Sequence, residues 1–170
     1  MKVTGYQLRE AIRKQELQRD TVISQFNASL FKFEGEEKLS PDDVAKMFTQ
    51  AEQAIANLQT GLARYNLYVV IDVLGDKMTL AEGVKRLGGA GRLEKLWREA
   101  ATAKKDRYGY DSGEAPTRDK DQVVAQRSLS LKDCMNRANT AANFAGALRA
   151  AVAKANCTEV SIEGMDPAFF

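Results

Sequence analysis

The sequence predicts a mainly α protein: a bundle of three long helices plus two short helices, with a small β-sheet of two to four short strands at one end. Three observations carry this. Apolar residues recur at steps of three and four along extended segments, the period of a helix with one buried face. Helix-start signatures stand ahead of several of those segments, at Ser40, Thr79 and Ser130. Two runs rich in β-branched residues, at 68–73 and 158–162, break the helical period.

The first helix is expected over roughly 4–27, with Leu8, Ile12, Val22, Ile23 and Phe26 at helical spacing. Gln15 and Arg19 continue that stripe through its middle. Either the Arg19 stem packs while its head reaches solvent or a neighbouring helix, or the two residues line a polar pocket. After a connector through Gly35, Ser40-Pro41-Asp42-Asp43 combines an N-cap, a proline at the first helical position and acids at the positive helix end. The helix that follows carries Val44, Phe48, Ala51, Ile55, Leu58, Leu62 and Tyr65, a four-and-three pattern suited to packing along a partner helix.

Tyr68 to Val73 then reads as a strand, with Gly75-Asp76 turning the chain before Lys77-Met78. Thr79-Leu80-Ala81-Glu82 matches a capping box and opens a short helix through Leu87, which Gly88-Gly89 is expected to end. A second short helix, Arg92 to Ala103, places Leu93, Leu96, Trp97 and Ala100 on one side. The pair resembles a helix-turn-helix, but Glu94 and Glu99 offset Arg92, Lys95 and Arg98, so nucleic acid is not the expected partner. A long charged loop, about 104–126, carries an edge strand near Val123-Val124 at most. Ser130 caps the last long helix, Leu131 to about Ala155, whose stripe of Leu131, Cys134, Ala138, Ala141, Ala145, Leu148 and Val152 is mostly small. Thr158 to Ile162 alternates like a half-exposed strand and joins the first strands in one sheet. In the tail, 164–170, Met165 precedes Phe169 and Phe170, and that terminal Phe pair is expected to dock on this chain or on a second subunit.

Composition sets the limits on function. A chain of 170 residues with 44% hydrophobic and 28% charged residues is expected to form one ordered domain, 1–170. A net charge of +2 leaves no global field to draw nucleic acid or anionic lipid. With no bilayer-length apolar run and no signal-peptide core at the start, no membrane partner is expected and the reading is cytoplasmic. Cys134 and Cys157 fall at the two ends of one helix, on the order of 30 Å apart by helical rise, and cannot pair. The absence of histidine removes Ser/His and Cys/His nucleophiles and imidazole-bound zinc. No catalytic residues, metal site or cofactor is assigned; a carboxylate and divalent-metal enzyme is the remote third reading.

Three groups could nevertheless bind something. Gly88-Gly89-Ala90-Gly91-Arg92 precedes the expected second short helix, where free N–H groups and the helix dipole favour an anion. Gly89, Gly91, Arg92 and Lys95 would hold it; the bland alternative is a tight corner between helices. Arg107-Tyr108-Gly109-Tyr110 interleaves a cation with aromatic faces, so Arg107, Tyr108 and Tyr110 could close over a flat ligand, or simply pin the loop. Asn136, Asn139 and Asn143 form a polar stripe on the last helix, either solvated or facing a ligand or partner.

The order of elements also carries a resemblance. A heptad helix ending in Arg64-Tyr65-Asn66, the capped Thr79-Leu80-Ala81-Glu82, a charged loop with Asp106-Arg107-Tyr108, and a last helix finishing in Ala155-Asn156-Cys157-Thr158-Glu159 resemble the septicolysin-type family of small bacterial helical proteins. The resemblance implies a bacterial or phage origin and a helical bundle that self-associates; Gly88 to Arg92 departs from it, and it supplies no catalytic residues. The expected function is a non-enzymatic, homo-oligomeric helical binding or scaffold protein. The alternative is a small-ligand binder holding a nucleotide-like anion between the glycine corner and the Arg/Tyr loop.

Overall fold

Each long helix starts on a hydroxyl side chain that accepts a backbone N–H otherwise left without a partner at a helix N-terminus. Thr4 Oγ1 accepts from Gln7 N at 3.2 Å while Gln7 Oε1 accepts from Thr4 N at 2.9 Å, a complete capping box ahead of α1 (Gly5–Ser29). Ser40 Oγ accepts from Asp43 N at 3.1 Å ahead of α2 (Pro41–Tyr68), and Thr79 Oγ1 from Glu82 N at 3.2 Å ahead of α3 (Leu80–Thr102). Ser130 Oγ accepts from Asp133 N at 3.0 Å ahead of α4 (Leu131–Ala155). The computed structural model describes residues 2–103 and 128–170. Its remaining elements are β1 (Lys2–Val3), β2 (Val70–Val73), β3 (Asp76–Thr79), β4 (Val160–Ser161) and a 3₁₀ turn, Pro167–Phe169. It is mainly helical with small two-stranded antiparallel sheets, and it divides into two compact units.

The first unit, Met1–Lys85 with Leu148–Phe170, is organised by α1 lying antiparallel to α2. Gly5 abuts the Tyr65 ring, Leu8 lies beside Gly61, Arg19 reaches Glu52, and Val22 and Phe26 share a groove with Ala45 and Phe48. Between these points Leu8, Ala11 and Ile12 of α1, and Ala51, Ala54, Ile55 and Leu58 of α2, are buried. Tyr65 is fully buried, and its hydroxyl lies 2.7 Å from both the Ala155 and Thr158 carbonyl oxygens, sharing one proton between them. Burial holds its pKa above the ordinary tyrosine value. Asn156, 2% exposed, donates through Nδ2 to Val152 O at 2.8 Å and accepts Tyr6 N at its carbonyl. The end of α4 is thereby tied to the start of α1 and the end of α2.

The strands do not form the single expected sheet. β2 and β3 make a hairpin with Val70 opposite Thr79 and Val73 opposite Asp76, while β4 pairs with β1, Lys2 opposite Ser161. The hairpin turn is Leu74-Gly75, one residue earlier than expected, both with positive φ as a tight two-residue connection requires. Asp72 Oδ1 accepts from Gly75 N at 2.9 Å and holds it. Met165 seats its sulfur over Gly61, where a Cβ would stand only 2.6 Å from it, so the tail docks on its own chain at that point. Phe169 is half-buried, and Phe170 stays 39% exposed.

The second unit, Arg86–Ala147, joins the later part of α3 to the earlier part of α4. Ala90, Ala101, Cys134, Ala138, Ala141 and Ala145 are buried, and the Arg137 guanidinium sits 4.8 Å from the centroid of the Trp97 ring. Leu93 and Leu96, expected on the buried side with Trp97, are exposed, as is Leu131 at the start of the α4 stripe. Neither cysteine is in a disulfide. The two short helices expected around Gly88-Gly89 are one: α3 runs through the glycines without a break. Glycine weakens a helix interior by about 1 kcal/mol against alanine but does not forbid it, and Ala90 buried between the glycines gives the turn a packing partner.

These placements separate two kinds of glycine. A Cβ on Gly89 would meet no other atom within 4 Å, whereas one on Gly5 would lie 2.6 Å from Asn156 Oδ1 and 2.9 Å from Tyr65 Cε1. In denaturant unfolding, Gly89→Ala is expected to stabilise by about 0.5–1 kcal/mol and Gly5→Ala to destabilise by about 1–3 kcal/mol. A destabilising Gly89→Ala would contradict the continuous helix.

Candidate functional site

The apolar seam between α1 and α2 is closed near Tyr65 and open at the opposite end. Val22 and Val44 are buried there, but the seam residues Phe26 and Phe48 each remain 37% exposed, beside Ile23 at 45% and Met47 at 36%. Between the helices runs a groove of about 340 Å³ lined by Val22, Ile23, Phe26, Asn27, Ala45, Phe48 and Thr49. A second hollow of about 200 Å³ lies among Gln25, Ala28, Ser29, Lys38, Leu39 and Val44.

The connector of residues 30–40 adds to this end instead of covering it. Phe31 is 79% exposed and Phe33 81%, flanked by Leu30 and Leu39, both more than half exposed. Internal bonds hold the loop: Glu36 N donates to Phe33 O at 3.1 Å, Phe33 N to Glu36 Oε2 at 3.2 Å, and Lys38 Nζ to Phe31 O at 3.2 Å. Gly35 supplies the positive φ, +82°, that the turn needs. The Phe33 N–H, and then Lys38 3.1 Å away, hold the Glu36 carboxyl below the usual carboxylate pKa range. At the start of α2, Ser40 and then Lys46 do the same for Asp43. Over 31–46, Lys32, Lys38 and Lys46 stand against Glu34, Glu36, Glu37, Asp42 and Asp43, so the apolar end has an acidic border.

Sequence reasoning missed Phe31 and Phe33. The available signal was a pair of aromatics inside a connector next to a glycine, where a solvated loop has no use for them.

The residues singled out from the sequence lie elsewhere. Gly89, Gly91, Arg92 and Lys95 are inside α3, whose positive end is at Leu80, so the backbone N–H groups there are engaged in the helix and form no anion cradle. Arg92 lies along its own helix toward Gly88, and Lys95 pairs with Glu99 at 3.7 Å. Arg107, Tyr108 and Tyr110, with the Val123-Val124 strand, lie outside the described residues. Gln15 is buried in the seam, at 9% exposure. Arg19 bonds Asp20 at 2.8 Å and extends to Glu52 on α2 at 3.5 Å. Its pKa is raised, first by the Asp20 hydrogen bond. Asn136, Asn139 and Asn143 are all exposed. One further hollow, about 250 Å³, lies between β2 and the end of α4 and includes Asp72, Lys154 and Thr158. Among the described residues no group of three or more Asp, Glu or Cys side chains is placed to hold a metal ion, and no helix is long and apolar enough to cross a membrane.

No family model matches the chain, and no curated protein does. A solved structure, described as a functionally unknown conserved protein from Corynebacterium diphtheriae, is similar with a TM-score of 0.57 and 15% identity over 95% of this chain and 100% of that one. A likeness at that identity shows the fold alone.

The electrostatics of the connector can be checked directly. Because Glu36 is depressed in the folded chain, its bonds to Phe33 N and Lys38 stabilise the loop above the ordinary glutamate range and are lost as pH falls through the folded value. A carbon-detected NMR titration is expected to place the Glu36 midpoint below that of a model glutamate, and Lys38→Met to move it upward. A midpoint at or above the model value would mean the loop bonds do not form.

Proposed function

We propose that this chain is a non-enzymatic, self-associating helical-bundle protein that works as a binding or scaffold module. The observation that carries this reading is the concentration of large apolar side chains at the open end of α1 and α2. Ile23, Phe26, Leu30, Phe31, Phe33, Leu39, Met47 and Phe48 are each at least 36% exposed within one short stretch of sequence, 23–48. Taking roughly 200 Å² for a fully exposed side chain of this size, their fractional exposures amount to on the order of 800 Å². That sum exceeds the roughly 300–600 Å² of the largest apolar patch on a typical monomer and is about one partner's share of a standard interface.

The acidic border selects the kind of partner. Anionic lipid and nucleic acid phosphates are repelled by it, so an apolar protein surface fits better. The septicolysin-type resemblance, with the self-association it implies, supports the same reading. The nucleotide-anion alternative loses its main support, because Gly88 to Arg92 lie inside α3 and not ahead of a helix.

Sedimentation equilibrium on the full chain is expected to give a mass above that of one chain at micromolar concentration. Association should strengthen with salt, since screening removes acid–acid repulsion and leaves apolar burial intact. A monomer at all concentrations up to about 100 μM, a Kd range worth less than roughly 6 kcal/mol, would overturn the reading.

A further inference from the structure

We infer that the open end of the α1–α2 hairpin is an isologous dimer interface, in which Phe31 and Phe33 of one copy fill the Phe26–Phe48 groove of a second copy. The inference rests on the self-association proposed above and assigns its surface. Three features of the hairpin point to a second copy as occupant.

The first is that one end of the hairpin carries both a protruding aromatic pair and a groove. Phe31 and Phe33 protrude, 79% and 81% exposed on a loop fixed by its own hydrogen bonds, and the groove of about 340 Å³ is on the same two helices. A two-fold interface requires this self-complementarity, because each contact from one copy to its partner is repeated in reverse. Within its own chain neither ring fills the groove: both are exposed, and neither is among the residues that line it.

The second is distance. The groove is centred near residue 25 of α1, whose last helical residue is Ser29. At 1.5 Å per residue the groove therefore lies only about 6 Å below the hairpin end. Two hairpins meeting end to end with an overlap of about that depth bring each loop to the other's groove.

The third is area and charge. The exposed apolar area, on the order of 800 Å² per copy, is enough for one partner's share of a standard interface when most of it is covered. Glu36 with Lys38 and Asp43 with Lys46 are paired within each copy, and the acids that remain, Glu34, Glu37 and Asp42 against Lys32, repel across the contact until salt screens them.

The test uses the full chain in sedimentation equilibrium, with thermal melting as the control for folding. The double variant Phe31→Glu/Phe33→Glu removes the knobs, and Ala45→Glu on α2 charges the groove. Each is expected to raise the dimer Kd by on the order of 100-fold or more while the melting temperature of the monomer is unchanged. Mixing the two variants is expected to give at most a weakened heterodimer, because one intact knob meets one intact groove while the reverse contact sets carboxylates against a carboxylate. A wild-type monomer overturns both the self-association reading and this inference. A dimer that survives both variants overturns the inference alone. If either variant melts early, Phe33→Ser and Ala45→Ser replace it in the same assay, with the same two outcomes. A wild-type monomer that sediments with phosphatidylcholine vesicles assigns the surface to lipid and overturns the inference as well.

Discussion

Two helices of 25 and 28 residues can stay side by side only while their facing residues are small or apolar enough to exclude water between them. From Gly5 to Ile12 on α1 and from Ala51 to Tyr65 on α2 that condition is met, and the other pieces of the first unit are arranged around it. Tyr65 passes its hydroxyl to the end of α4, Asn156 passes its carbonyl to Tyr6, and Met165 closes over Gly61. Gly5 and Gly61 matter here for the space they leave: a side chain at either would meet a neighbour already in place. Halfway along, the seam turns polar at Gln15 and Arg19, and Arg19 crosses to Glu52. Beyond that crossing Val22 of α1 and Val44 and Ala51 of α2 are buried, and the remaining large side chains face solvent.

The open end differs from an incidental surface in how its loop is made. Surface connectors ordinarily carry small and polar residues, because an exposed aromatic gains nothing from water. Here the turn residues are present, with Gly35 at positive φ and Glu36 bonded to Phe33 N, yet the same eleven residues hold two phenylalanines outward. In the proposed dimer, a loop whose backbone is already hydrogen-bonded would have less entropy to lose on contact, which is the advantage of preorganisation.

The helix starts were legible in the sequence because caps are local. Ser40-Pro41, Thr79 and Ser130 each act within three residues, and the structure places a cap at each. The stripe on α2 was also legible, although a stripe says which residues could be buried and not which are: Phe48 carries the period and stays exposed. Strand pairing was misread because β1 is two residues long and its partner, β4, lies at the far end of the chain, so no local pattern announces it. The glycines at 88–91 were misread as punctuation. Their propensity cost of about 1 kcal/mol each is small against the packing that a 23-residue helix gathers along its length. Phe31 and Phe33 escaped notice because periodicity is measured on helices and strands, and their importance lies in breaking the habit of a loop.

The α1–α2 seam is complete at the Tyr65 end, and the proposed dimer completes it with a second copy at the other. Hydrogen–deuterium exchange of the full chain at low and high protein concentration distinguishes the two ends. Amides over 22–49 are expected to exchange more slowly at high concentration, while those around Tyr65 and through 148–156 keep the same rates. Equal rates over 22–49 at both concentrations, with protection differing elsewhere or nowhere, would contradict it.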